Sequence, residues 1–172
     1  MSLKTPEIRP DRPSILILGW GNLSRGDDAL GPLFVAGLRA QLPADLADGV
    51  EFLEDYQLQI EHALDLAGRT QVLLVDASLS CAAPFEVRRV YARRDTSYTS
   101  HALSAEALLQ VFVDFEGSAP PPVTLLAIRG EAFELGEPMG HPAQGHLQAA
   151  LAWGLEWVCA QRLDVAQLSS SS

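Results

Sequence analysis

Cysteine is scarce in this chain, basic residues are few and no apolar run is long. Two cysteines among 172 residues, Cys81 and Cys159, make no disulfide framework and show no metal-ligand spacing. Reduced thiols of this kind are usual in the cytoplasm. Twelve Lys and Arg against 22 Asp and Glu leave a formal charge of −10. That balance argues against a phosphate backbone as partner, because nucleic-acid binding rests on Lys/Arg neutralisation. No apolar run reaches the roughly 18 residues that a membrane span needs. The opening MSLKTPEIRPDRPS has no apolar segment of the kind a signal peptide carries. A cytoplasmic protein with no membrane or nucleic-acid partner is therefore expected, and a monomer is taken as the default. What the chain does have is an ordinary globular composition, 48% apolar and 20% charged, and a length suited to one domain with a real core.

Residues 1–13 read as a flexible leader, 14–163 as a single αβα domain and 164–172 as a flexible tail. Ser14 to Leu18 is a short apolar run ending at a glycine, which predicts a buried strand. A helix is expected from about Asp28, with Leu30, Leu33, Phe34, Leu38 and Leu42 at helical spacing and Pro32 in its first turn. Val50 to Leu53 is a weak strand and Ile60 to Leu66 a short helix. Gln71 to Val75 is a strongly apolar strand ending at Asp76, and Phe85 to Tyr91 an exposed strand. Ser104 is placed to cap a helix reaching about Phe115. Val123 to Ile128 is a third buried strand, and a long helix covers roughly Ala143 to Arg162. Buried strands alternating with amphipathic helices indicate an α/β fold. Ligands in such folds sit beyond the carboxyl ends of the strands, so chemistry is sought there.

The first strand–helix junction reads Gly19-Trp20-Gly21-Asn22-Leu23-Ser24-Arg25-Gly26-Asp27-Asp28-Ala29-Leu30-Gly31. Its first two glycines match the start of a dinucleotide loop, but Ser24 occupies the place of the third. Asp27 and Asp28 also stand where a helix N-terminus would receive a phosphate, and two carboxylates there repel one. One aspartate suffices as a cap, which leaves the second for another task, such as a metal. Asp76 ends an apolar strand, where an unpartnered carboxylate is costly. It is either a hydrogen-bonded loop acid or part of a ligand crevice. His101, just before the helix capped by Ser104, is on its own a plain loop histidine. Together, two carboxylates and one imidazole suit a borderline divalent metal such as nickel or zinc, with coordination positions open to water or substrate. His62, His141 and His146 read as surface or core polar residues.

The segment G-W-G-N-L-S-R-G-D-D-A-L-G resembles the N-terminal signature of the hydrogenase maturation proteases. Val75-Asp76-Ala77 resembles that family's strand-end acid, and Ser100-His101-Ala102-Leu103 its histidine segment. Three motifs in order, with matching spacing, cover most of the chain. The resemblance implies a three-layer αβα sandwich around a mixed, mostly parallel twisted sheet, of phosphorylase/hydrolase-like type. It implies Asp28, Asp76 and His101 as catalytic and metal-contacting residues, with Gly19, Gly21, Asn22 and Asp27 in the loop that faces the substrate. It implies an endopeptidase that removes the C-terminal extension of a nickel–iron hydrogenase large-subunit precursor. Nickel would arrive inside that precursor, and zinc or cadmium would be able to take its place in vitro. Three departures stand out. Position 28 is Asp where some relatives carry Glu, and position 29 is Ala where many carry Gly. Residues 53–66 lack the Gly-rich turn common there and look like the form found beside soluble, NAD-linked hydrogenases.

No Gly-x-Ser-x-Gly elbow, His-Glu-x-x-His pair or Asp-Thr-Gly triplet is present. Water activated by one of the acids or by the metal is the expected nucleophile. Two other readings use the same residues or scaffold: a nickel-checking chaperone without protease activity, and a nucleoside- or nucleotide-handling enzyme. Arg88, Arg89, Arg93 and Arg94 form a basic cluster, read as a solvated edge strand or a docking face. Trp153 and Trp157, one helical turn apart, are expected to pack.

Overall fold

Along β1, Ile15–Trp20, successive side chains point to opposite faces, yet Ile15, Leu16, Ile17 and Leu18 are all fully buried. Only a central strand covered on both faces accommodates that pattern. The structure is a computed structural model that describes residues 3–4, 9–94 and 102–169. β1 pairs in parallel with β2, Val50–Asp55, on one side and with β3, Gln71–Ser78, on the other. β3 pairs in parallel with β5, Val123–Arg129. β5 pairs antiparallel with β4, Phe85–Val90, an edge strand. The order is β2-β1-β3-β5-β4, a mixed and mostly parallel sheet.

Helix α1, Leu30–Gln41, and α4, His141–Ser169, cover one face. There Phe34, Val35 and Leu38 meet Ile15, Ile17, Leu73 and Val75. α3, Ala105–Glu116, and a 3-10 segment at Ile60–Leu66 cover the other, packing Leu66, Leu108, Leu109 and Phe112 on Leu16, Leu18, Val72 and Leu74. The expected three-layer αβα architecture is present. A short α2, Ala44–Ala47, joins α1 to β2. Trp153 packs on Phe85 and Trp157 at ring-centroid distances of 6.0 and 6.4 Å, so both tryptophans serve packing. Cys81 is buried and Cys159 exposed, and both thiols are free.

Several boundaries differ from the sequence expectation. The turn at Gly26–Ala29 is 3-10, and α1 begins only at Leu30. Ile60–Leu66 is also 3-10. β3 continues past Asp76 to Ser78 because β5 supplies partners, with Asp76 opposite Ala127 and Ser78 opposite Arg129. α4 runs to Ser169, into the stretch expected as a tail. Within the expected leader, the Arg9 amide donates to the Gly68 carbonyl at 3.4 Å and the Arg12 guanidinium to the Leu64 carbonyl at 3.1 Å.

Ser104 caps α3 as expected, its hydroxyl accepting the Ala107 amide at 3.1 Å. At the other end Gly117, at φ 64°, supplies the left-handed residue that stops the helix, donating to the Val113 carbonyl. Ser104→Ala is expected to cost about 1 kcal/mol, a fall of about 2–4 °C in the melting temperature for a chain of this size. Thermal unfolding followed by circular dichroism measures it.

Candidate active site

The carboxyl ends of β1 and β3 lie side by side where the chain leaves β1 toward β2 in one direction and β3 leads to the opposite side of the sheet. That is the switch point at which open α/β sheets place ligands. Two glycines bring the first junction onto it. Gly21 has φ +147°, and a Cβ there would run into the Asp28 carbonyl. At Gly31 a Cβ would meet the Trp20 amide nitrogen and the Val75 carbonyl, each at 2.9 Å. The start of α1 therefore lies directly on the ends of both strands, which sets Asp28 beside Asp76.

Asp76 shares strand parity with Val72 and Leu74, so it faces the α3 side, as does Trp20 after Leu16 and Leu18. The carboxyl group of Asp76 is pushed up to about 7. Burial is the main cause; hydrogen bonds from the Ala77 amide and the Trp20 indole oppose it, and the Asp28 charge adds to it. No basic side chain of the described residues contributes to its ionisation. Asp28 itself is partly buried, and its Oδ2 accepts the Asn22 amide at 2.9 Å. The sequence-predicted acids Asp28 and Asp76 are thus brought together. His101 lies outside the described residues, and among the described residues no group of three metal-donor side chains forms. A close carboxylate pair short of positive charge suits a divalent cation, which would displace the proton that Asp76 otherwise retains near neutrality.

The remaining loop residues divide into two roles. Gly19 sits against Gly31, and Gly21 against Asp28, so both are packing glycines that let the loop close. Asp27 is not presented to a ligand: it is 1% exposed, and its carboxylate is filled by three backbone amides. Oδ2 accepts Glu131 at 2.7 Å and Ala132 at 3.0 Å, and Oδ1 accepts Gly140 at 2.8 Å. Burial raises its pKa, but these three donors and nearby His146 outweigh it, and the net shift is downward. Asp27 thereby fastens the segment after β5 to the first junction. The sequence expected one aspartate of the pair to cap the helix; neither does, since no side chain caps either the 3-10 turn or α1.

Sequence reasoning also passed over the rim formed by the β2 end. His62 is nearly buried; its Nδ1 accepts the Gln59 amide at 2.9 Å and its Nε2 lies 3.0 Å from Asp55 Oδ2. Asp55 also accepts the Tyr56 amide, at 2.6 Å. An acid at a strand end followed seven residues later by a histidine is the signal that was there to find. In the arginine cluster, Arg88 pairs with Glu106 at 2.6 Å and Arg94 with Asp114 at 3.0 Å, which fits charged decoration of the edge strand.

No family model and no curated protein matches the chain. Solved structures do. The NiFe hydrogenase maturation protease HycI from Thermococcus kodakarensis is 19% identical at TM-score 0.65, over 87% of this chain and 94% of that one. The hydrogenase maturating endopeptidase HybD from E. coli is 23% identical at TM-score 0.64, over 86% and 93%. A further endopeptidase from Escherichia coli is 25% identical at TM-score 0.64, over 83% and 90%. With the glycine-rich junction and the two acids in place at one sheet edge, the chain has the fold of the hydrogenase maturation proteases, the family that its sequence resembles.

Proposed function

We propose that the chain is an endopeptidase that removes the C-terminal extension of a nickel-loaded hydrogenase large-subunit precursor. The observation that carries this reading is the Asp28–Asp76 pair, partly buried, mutually repelling and without a basic partner among the described residues. Such a pair awaits a cation, and in this reading the client brings it. Asp28 and Asp76 would grip the nickel, with His101 as third donor on the strength of the sequence resemblance. Docking on the metal would fix the adjoining peptide in reach of an activated water, which is the positioning part of catalysis. Nickel when bound supplies Lewis acidity. Before metal binding the Asp76 carboxyl, raised to about 7, is partly protonated near neutral pH, so taking up the cation would release that proton and free the carboxylate to hold the metal.

The test is mass spectrometry of the precursor incubated with this chain, with and without nickel. Loss of a C-terminal fragment only from nickel-loaded precursor is the expected result. Binding without shortening would point instead to a nickel-checking chaperone, and an unbound, unshortened precursor would refute both.

A further inference from the structure

The first junction and the end of β2 enclose a groove of about 420 Å³, lined among others by Gly21, Asn22, Leu23, Pro32, Asp55 and Tyr56. Asn22 links the groove to the acid pair. Its amide nitrogen holds Asp28 Oδ2, while its side chain works in two directions. Oδ1 accepts the Ser24 amide at 2.8 Å, which fixes the orientation of the carboxamide. Nδ2 must then be the donor toward the Tyr56 hydroxyl, 2.9 Å away. A phenol oxygen that accepts a hydrogen bond still has its own O–H to donate. Among the described residues that proton has no acceptor, and Tyr56 is 63% exposed at the groove wall.

We infer that Tyr56 is a substrate-contacting residue: its hydroxyl, held by Asn22, donates a hydrogen bond to a main-chain carbonyl of the client segment lying in this groove. The inference rests on the proposed endopeptidase reading and adds a polar anchor to it that neither the fold nor the acid pair requires. Asn22 lines the groove and its amide also holds Asp28 Oδ2, so a peptide running from the acid pair along this wall would meet the phenol. The leading walls, Leu23, Pro32 and the tyrosine ring, are apolar, whereas every peptide carries carbonyls. A main-chain contact therefore suits a site whose recognition signal is the metal rather than a side chain. Polarisation by Asn22 strengthens the donor, since a hydroxyl that accepts one bond donates a better one.

Tyr56→Phe removes the donor and keeps the ring. Processing of nickel-loaded large-subunit precursor from the same organism is expected to fall about tenfold in kcat/KM. Calorimetric binding of cadmium to the isolated chain is expected to stay unchanged, as is the melting temperature. Asn22→Ala in the Tyr56→Phe background should cost less than Asn22→Ala alone, because the two residues act as a unit. Wild-type kcat and KM in Tyr56→Phe would overturn the inference while leaving the endopeptidase reading intact. A parallel loss of cadmium affinity would also overturn it, by showing that the tyrosine acts on Asp28 and not on the client. A wild-type chain that never shortens the precursor would defeat the endopeptidase reading and this inference with it.

Discussion

Asp27→Ala should lower stability by about 4 kcal/mol, since three part-buried backbone amides lose a charged acceptor at once and each bond of that kind is worth about 1.5–3 kcal/mol at most when fully shielded from water. For a chain of this length that is a drop of about 10 °C or more in melting temperature. The loss should be felt first in the segment from Glu131 to Gly140, whose amides Asp27 binds. Asp27→Asn is expected to rescue little. Both carboxylate oxygens face N–H donors, so a carboxamide must turn its NH2 toward at least one of them. The pH dependence has a definite sign. The folded pKa of Asp27 lies below its ordinary value, so its contribution is full above about pH 4, the unfolded value, and fades as pH falls through the folded pKa. Urea unfolding at pH 7 and pH 3 should therefore show a wide gap between wild type and Asp27→Ala that narrows in acid. An equal gap at both would refute the assignment of the carboxylate charge to this anchor.

Asp76→Asn should do the reverse: on the proposed endopeptidase reading it cuts precursor cleavage by on the order of a thousandfold or more through loss of the metal grip, while making the fold more stable. The folded pKa of Asp76 is raised to about 7, above the unfolded value of about 3.9. The wild-type fold then binds a proton that the unfolded chain releases. Its stability declines as pH rises from about 4 through 7. At pH 8 the ionised, crowded carboxylate is a liability that the amide lacks. Allowing for the partial exposure of Asp76, the gain is about 2 kcal/mol, or about 4–8 °C. Below pH 4 it should disappear. Melting curves of both proteins at pH 8 and pH 4 check the stability half, and a variant less stable than wild type at pH 8 would show that the acid is not strained. Cleavage of nickel-loaded precursor checks the other half.

Much of this was open to inspection in the amino-acid order alone. The apolar runs at Ile15, Gln71 and Val123 announced central strands because parallel strands are buried on both faces. Ser104 announced the start of α3 because its hydroxyl satisfies an amide only three residues on. Those are local signals. Asp27 escaped because its partners lie 104 to 113 residues away, and nothing near it in the chain distinguishes an anchor from a cap. The extension of β3 to Ser78 depends on β5, again a distant partner. Tyr56 was hidden for a different reason: its meaning comes from Asn22 and the junction across the groove, whereas the Asp55–His62 contact is local and was open to a reading of the strand end. The acids at 28 and 76 could be suspected from strand ends and motif resemblance, but their effect on each other is visible only once Gly31 lets the two elements touch.

The sheet behaves as a partition. Ile15 and Ile17 belong to one apolar compartment and Leu16 and Leu18 to another, two clusters that share no buried residue among those described. Damage on one side, such as trimming Phe34, should consequently leave the other compartment's energetics alone. Truncations made on opposite sides ought to sum without interaction, except near the start of α1, where Gly31 touches the ends of both strands.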